Sequence, residues 1–102
     1  MRVAGICAAL LLLGSSAVNA ESGKQSGKAS YYSGIGKGGE MTCAHRTRPF
    51  GSMVKVSYRS QTIHCRVNDR GPFIRGRIID VSTSAARALG IINAGVVEVL
   101  IE

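Results

Sequence analysis

Between two strongly β-forming runs, Thr62 to Val67 and Arg77 to Val81, the chain carries Asn68-Asp69-Arg70-Gly71-Pro72-Phe73. That insert constrains the fold more than any other stretch. A Gly-Pro pair fixes a sharp local turn, and Asn and Asp bond readily to nearby backbone. The flanking runs therefore read as short strands on either side of a fixed bend. Asp69 stands between Arg66 and Arg70 in sequence, and an acid beside arginines tends to stay ionised. Asp80 follows on the next run, so two carboxylates lie close along the chain.

The amino terminus sets the context for this segment. Met1-Arg2, the apolar run Val3 to Leu13 and the small residues ending at Ala20 have the layout of a secretory signal peptide, residues 1–20. The run is shorter than the ~20 apolar residues of a spanning helix, so a retained membrane anchor is the rival reading. No cysteine stands between Gly14 and Glu21 to carry a lipid. A secreted or periplasmic protein is expected, without stable membrane insertion once the signal is gone.

The remainder, Glu21 to Glu102, is long enough for one small domain whose core alone would be marginal. Cys43 and Cys65 remain after Cys7 leaves with the signal. A disulfide between them would contribute roughly 3 kcal/mol by the loop-entropy argument. A metal site of Cys43, His45, His64 and Cys65 is the competing idea. Cys43 and His45 would share a strand face, but the neighbours His64 and Cys65 would point apart. The spacing also lacks the usual C-x-x-C or H-x-x-x-H form. The disulfide is expected, and no metal or cofactor.

The full chain has a net charge of +7, or +6 once Arg2 departs with the signal. Such a surface favours anionic partners, among them peptidoglycan. Nucleic acid is not expected, because the arginines are scattered along strands without a basic helix or a stacking series of aromatics.

Residues 21–27 read as a flexible leader, and the ordered domain as residues 28–102. Ala29 to Tyr32 has strand character, and the glycine-rich loop Ser33 to Gly39 follows. Met53 to Ser57 and Thr62 to Val67 make a hairpin across the turn Arg59-Ser60-Gln61. Arg77 to Val81 is another strand. Ser82 caps a short helix from Thr83 to Leu89, which Gly90 ends. Val96 to Ile101 is apolar at nearly every position and reads as a strand buried on both faces. The pattern is all-β and barrel-like, with one short helix.

Ala29-Ser30-Tyr31-Tyr32, Thr42-Cys43-Ala44-His45-Arg46-Thr47-Arg48-Pro49-Phe50-Gly51, Val67 to Phe73 and Gly76 to Ser82 closely resemble, in order, the motifs of the RlpA (rare lipoprotein A) family. The resemblance covers about Lys28 to Glu102. It implies a six-stranded double-psi β-barrel and action on peptidoglycan glycan strands as a lytic transglycosylase. Matched residue by residue, the family's catalytic histidine falls on His45 and its catalytic aspartate on Asp69. Asp80 matches a second aspartate, in a motif that expansins also carry. The family's further acid, in a Gly-Glu pair, has no motif counterpart. The nearest glutamate is Glu40, in a segment shorter than the family's, and it stands as a possible loop substitute.

The implied mechanism needs one group that protonates the glycosidic oxygen and then takes the proton of the sugar's own C6 hydroxyl. Asp69 is the candidate acid/base. Asp80 and Glu40 are possible supporting acids, and His45 would orient the substrate or hydrogen-bond the acid. Tyr31 and Tyr32 could stack on sugar faces, although alternation sends one of them to the core. Thr42, Arg46, Arg48 and Arg70 complete the substrate-binding candidates, the arginines for carboxylates. His64 reads as a surface residue. A non-catalytic, expansin-like wall-binding module is the alternative function, and protein partners are left open.

Overall fold

The computed structural model describes residues 23–32 and 39–102. The signal-peptide reading of residues 1–20, Glu21 and Ser22 of the leader, and most of the glycine-rich loop lie outside them. The hairpin has the cleanest alternation in the chain. β3 (Met53–Tyr58) and β4 (Gln61–Asp69) pair antiparallel, and every second residue from Val54 to Val56 and from Ile63 to Val67 is buried. Two residues, Arg59 and Ser60, make the turn between them, and Arg59 takes a positive φ of 54°.

The other strands are β1 (Gln25–Tyr32), β2 (Thr42–Ala44), β5 (Arg77–Ser82) and β6 (Val97–Ile101), with helix α1 (Thr83–Leu89) between β5 and β6. They close a barrel in the order β1-β5-β2-β4-β3-β6. β1 runs parallel to β5 and β2 parallel to β4, while the remaining neighbours are antiparallel. This is the closed six-stranded mixed barrel that the motifs imply. Closure leaves no open sheet edge, a hazard for a chain this small.

The barrel interior is aliphatic: Val54, Val56, Val67, Ile79, Val81 and Ile101 are at most 1% exposed. Helix α1 adds Ala85, Ala86 and Leu89 to the same core. Ser82 caps it by accepting from the Ala85 amide, and Gly90 ends it in the left-handed conformation at φ 79°. Both expectations for this helix hold, because a serine and a glycine satisfy the two sets of unpaired backbone groups at its ends. None of the described helices is long and apolar enough to cross a membrane.

Cys43 and Cys65 are disulfide-bonded, with their Cα atoms 5.8 Å apart and both side chains fully buried. The bond joins β4 to β2, a strand of only three residues.

Two expectations need correction. Gln25, Ser26 and Gly27 are not leader: they pair with Ile101, Leu100 and Val99, so the domain starts earlier than Lys28. Exposed Ser26 suits the outer, wet side of a barrel strand as well as it suits a linker, while Gln25 and Gly27 are half-buried. β6 is not buried on both faces either, since Glu98 and Leu100 point outward and only Val99 and Ile101 are buried. An apolar run marks a doubly covered strand only where a second layer exists, and here none covers the outside of β6.

Replacing Cys43 and Cys65 together by alanine is expected to lower unfolding free energy by about 3 kcal/mol. Urea denaturation of the two proteins measures it; an unchanged midpoint would contradict the stapling role.

Candidate active site

Two β-bulges decide where the polar side chains meet. In the β1–β5 pairing Lys28 faces Arg77 but Ala29 faces Ile79, so Ile78 is an extra residue and Ser30 comes opposite Asp80. In β2–β4 Cys43 faces Val67 but Ala44 faces Asp69, so Asn68 is extra and Asp69 comes opposite Ala44. Ala44 also faces Asp80 across the β2–β5 pairing. One rung therefore runs Ser30, Asp80, Ala44, Asp69 over four neighbouring strands. Bulges of this kind re-aim side chains.

The two aspartates sit two strands apart, so their backbones are separated by about 10 Å at the usual strand spacing. Tyr32, two positions beyond Ser30 on β1, shares their face. Burial raises the Tyr32 phenol above its ordinary pKa, and the charges of Asp69 and Asp80 add to the rise against the opposing bond to Thr42. Its hydroxyl lies 3.2 Å from Thr42 Oγ1. The phenol is thus a neutral hydroxyl held beside both acids.

Asp80 is half-buried, and its Oδ1 accepts a short hydrogen bond from Ser30 Oγ. Arg77 Nη1 donates to the same serine oxygen at 3.0 Å. Asp69 is exposed, and its Oδ1 accepts from the Arg70 amide at 2.8 Å. Among the described residues no ion pair engages either aspartate. The arginines that neighbour Asp69 in sequence face elsewhere, which corrects the expectation that they bracket its carboxylate. Arg66 pairs with Glu40. Arg70 Nη1 donates to the carbonyls of His45 at 3.0 Å and Arg48 at 2.7 Å, and its guanidinium lies 4.0 Å over the Phe50 ring. Each arginine is held by another partner, so sequence neighbours need not be spatial ones.

His45 is only 5% exposed. Its Nδ1 accepts from the amides of Thr47 and Arg48, both at 3.1 Å. The single ring proton therefore sits on Nε2, which donates to Gln25 Oε1 at 3.2 Å. Burial pushes the imidazole below its ordinary pKa, and Arg48, Arg46 and Arg70 push it the same way. The ring bonds neither aspartate. It pins the start of the 45–50 loop, and the His45 amide donates to the Asp69 carbonyl at 3.1 Å. In this arrangement His45 acts on Asp69 through the backbone.

The remaining candidates divide. Tyr31 donates its hydroxyl to the Ile92 carbonyl at 3.0 Å and packs on the core. Thr42 is 1% exposed and has no surface to offer a ligand, so it works through Tyr32. Arg46 is exposed, with Nη2 donating to the Arg77 carbonyl at 3.2 Å. Glu40 lies on the far side of the Thr42–Arg66 rung from Asp69, with its carboxylate on Arg66 and its carbonyl accepting from Ser82 and Ser84. It is bonded to neither aspartate. Ser30 and Gln25 were missed in the sequence, whereas Arg77, three residues before Asp80 on the same run, reads as a partner of that aspartate and reaches it through Ser30. Ser30 stood in a plain motif, and the period of two from Tyr32 back to it was the available signal.

The imidazole ties stability to pH. An unfolded His45 takes up a proton near its ordinary pKa of about 6.5, while the folded ring resists it to lower pH. Its contribution is complete above that value and is lost as pH falls toward the folded one. Urea midpoints at acidic and neutral pH should fall further on acidification in the wild type than in His45→Asn, whose amide cannot be protonated in that range. Equal falls would place the pH dependence elsewhere.

A family model described as lytic transglycolase, of the double-psi β-barrel class, matches residues 24–101. The "Probable endolytic peptidoglycan transglycosylase RlpA" of Nostoc sp. is 55% identical over 64 residues, covering 61% of this chain and 17% of that relative. The endolytic peptidoglycan transglycosylase RlpA of Neisseria meningitidis serogroup A is 44% identical over 91 residues, 76% of this chain and 38% of that one. A mutant Clavibacter michiganensis expansin, solved in complex with cellohexaose, superposes at a TM-score of 0.67 and 23% identity, over 78% of this chain and 50% of the other. That likeness shows the fold alone. The chain spans well under half the length of the curated relatives it matches. With a family model matched over nearly the whole barrel, the chain belongs to the RlpA family of double-psi β-barrel proteins.

Proposed function

We propose that this chain cleaves peptidoglycan glycan strands as an endolytic transglycosylase, at the linkage from N-acetylmuramic acid to N-acetylglucosamine, leaving a 1,6-anhydro end. The observation that carries this reading is the rung that sets Asp69 and Asp80 on one barrel face with Tyr32 beside both. The wide backbone separation leaves room for a sugar ring between them. Family membership and the names of the relatives support the same chemistry.

Asp69 serves as acid and then base. Its carboxyl proton passes to the glycosidic oxygen as the bond from C1 to that oxygen breaks. The C6 hydroxyl of the same sugar then bonds C1, and its proton returns to the Asp69 carboxylate. No water enters, so a hydrolase's second, water-activating carboxylate is not required. Tyr32 and Arg46 offer half-exposed and exposed polar groups beside this face. Asp80 stays hydrogen-bonded to Ser30 and stabilises positive charge developing at C1. Residues 1–20 would deliver the chain to the wall as a secreted or periplasmic protein.

A second reading, glycan binding without cleavage in the manner of an expansin-like module, is favoured by one observation. His45 is saturated by Gln25 and two loop amides, and Glu40 by Arg66, so neither approaches the acids.

Incubating the purified chain with glycan strands, with and without stem peptides, separates the readings by mass spectrometry. Transglycosylation gives 1,6-anhydro ends, and Asp69→Asn should cut their formation by about 100-fold or more, whereas Glu40→Gln should change it less than about threefold. New reducing ends would indicate a hydrolase. Binding without products would select the second reading.

A further inference from the structure

The structure contains a three-residue relay that the glycan-cleaving reading does not itself require. Arg77 Nη1 lies 3.0 Å from Ser30 Oγ, and Ser30 Oγ lies within a short hydrogen bond of Asp80 Oδ1. A guanidinium has five N–H donors and no acceptor. At the Arg77 contact the serine oxygen must therefore accept. The serine hydroxyl's one proton is directed at Asp80, whose Oδ1 accepts it.

Asp69 is placed differently. One of its oxygens takes the Arg70 amide, it is exposed, and among the described residues no side chain donates to it. The two aspartates stand on one rung, and each accepts on Oδ1, but half-buried Asp80 takes the bond from a buried side-chain hydroxyl while exposed Asp69 takes it from the neighbouring amide.

We propose that Ser30 and Arg77 are positioning residues that hold Asp80 as a fixed acceptor, and so assign the transferable proton to Asp69. This rests on the transglycosylase reading of the rung. Ser30 is well placed to do so, being 9% exposed, so that water competes little for its hydroxyl, and the Ile78 bulge is what brings it opposite Asp80. Arg77 is further steadied by its own backbone, whose carbonyl accepts from Arg46 at 3.2 Å. A carboxylate held this way faces the sugar with its charge already oriented, and preorganised charge of this kind acts on the transition state more than on the bound substrate.

The test uses the full chain and peptide-free glycan strands, with anhydro ends as the product. Ser30→Ala is expected to lower kcat at least about tenfold while KM stays within about twofold, and Ser30→Thr, which keeps the hydroxyl, to restore most of the loss. Arg77→Leu should match Ser30→Ala, and the double variant should be no slower than either single one, because the two act as a unit. Circular dichroism melting of each variant separates these effects from unfolding. A kcat for Ser30→Ala equal to wild type, or single losses that multiply in the double variant, would overturn the proposal.

A second measurement does not depend on turnover. At neutral pH the side-chain carboxyl ¹³C resonance of Asp80 should move between wild type and Ser30→Ala while that of Asp69 stays put. An Asp80 resonance that does not move removes the relay. If the wild-type chain released no anhydro ends at all, the transglycosylase reading would fall and the assignment of the proton with it, and the resonance would then report only the Ser30–Asp80 contact.

Discussion

Two extra residues, Ile78 in β5 and Asn68 in β4, fix the register on which the whole site depends. Without the first, Ser30 would face Ile79 and Asp80 would lose its donor. Without the second, Asn68 would occupy the rung that Asp69 holds. Each bulge is stabilised by where the added residue goes. Ile78 is 7% exposed and joins the core, so the insertion adds apolar burial instead of stranding a side chain. Asn68 is exposed, so its amide stays in contact with solvent and the insertion buries no polar group. Both shifts occur in the parallel pairings, β1 with β5 and β2 with β4, and the antiparallel β2–β5 pairing sets the two side by side.

The loop from His45 to Gly51 shows how a small basic protein uses its cations internally. Arg70 donates to two carbonyls of that loop and covers Phe50, while His45 gathers two of its amides. Bonds from a charged donor to a carbonyl are stronger than neutral ones, so a single guanidinium can hold a loop that has no ladder of its own. Gly51 and Ser52 complete the attachment: the Gly51 amide donates to the Val67 carbonyl, and the Val67 amide to the Ser52 carbonyl. The disulfide closes the same region from inside the barrel, between β2 and β4. Positive charge near the site is thus largely organised by the fold, with Arg46 the exposed remainder on the Asp80 side.

Much of the scaffold was legible in the sequence because its causes are local. The alternation in Val54, Val56, Ile63, Cys65 and Val67 gives the hairpin, and Ser82 with Gly90 gives the helix and both its ends. The site was legible through its motifs but not in its wiring. A bulge inside Ile78-Ile79 or Asn68-Asp69 leaves no mark, since either residue of each pair has the character the strand face wants. Gln25 was hidden in a stretch with linker composition, and its bond to His45 joins residues 20 apart in sequence, on and beside strands that β5 separates. Arg66 and Arg70 looked like partners of Asp69 because they flank it, yet Glu40 takes the first and the 45–50 loop the second. Long-range register, unlike capping or alternation, is a property of pairs of segments, and one segment read alone does not contain it.

That wiring bears on why a single acid can suffice on this barrel. A hydrolase must place two carboxyl groups at a distance set by the water or the covalent bond between them, so each has to be free to react. Here Asp80 receives a directed hydroxyl and is half-buried, Tyr32 is held neutral on the same face, and Asp69 is the exposed aspartate of the pair. In the proposed reaction the sugar itself supplies the nucleophile, so the demand on geometry shifts from spacing two reactive acids to orienting one sugar against one acid. A rigid rung with a buried serine at one end and an exposed aspartate at the other meets that demand. The same rung would bind a glycan equally well if Asp69 never gave up its proton. On the proposed reading, cleavage and binding differ in whether Asp69 gives up a proton to the glycosidic oxygen, not in the face that meets the glycan.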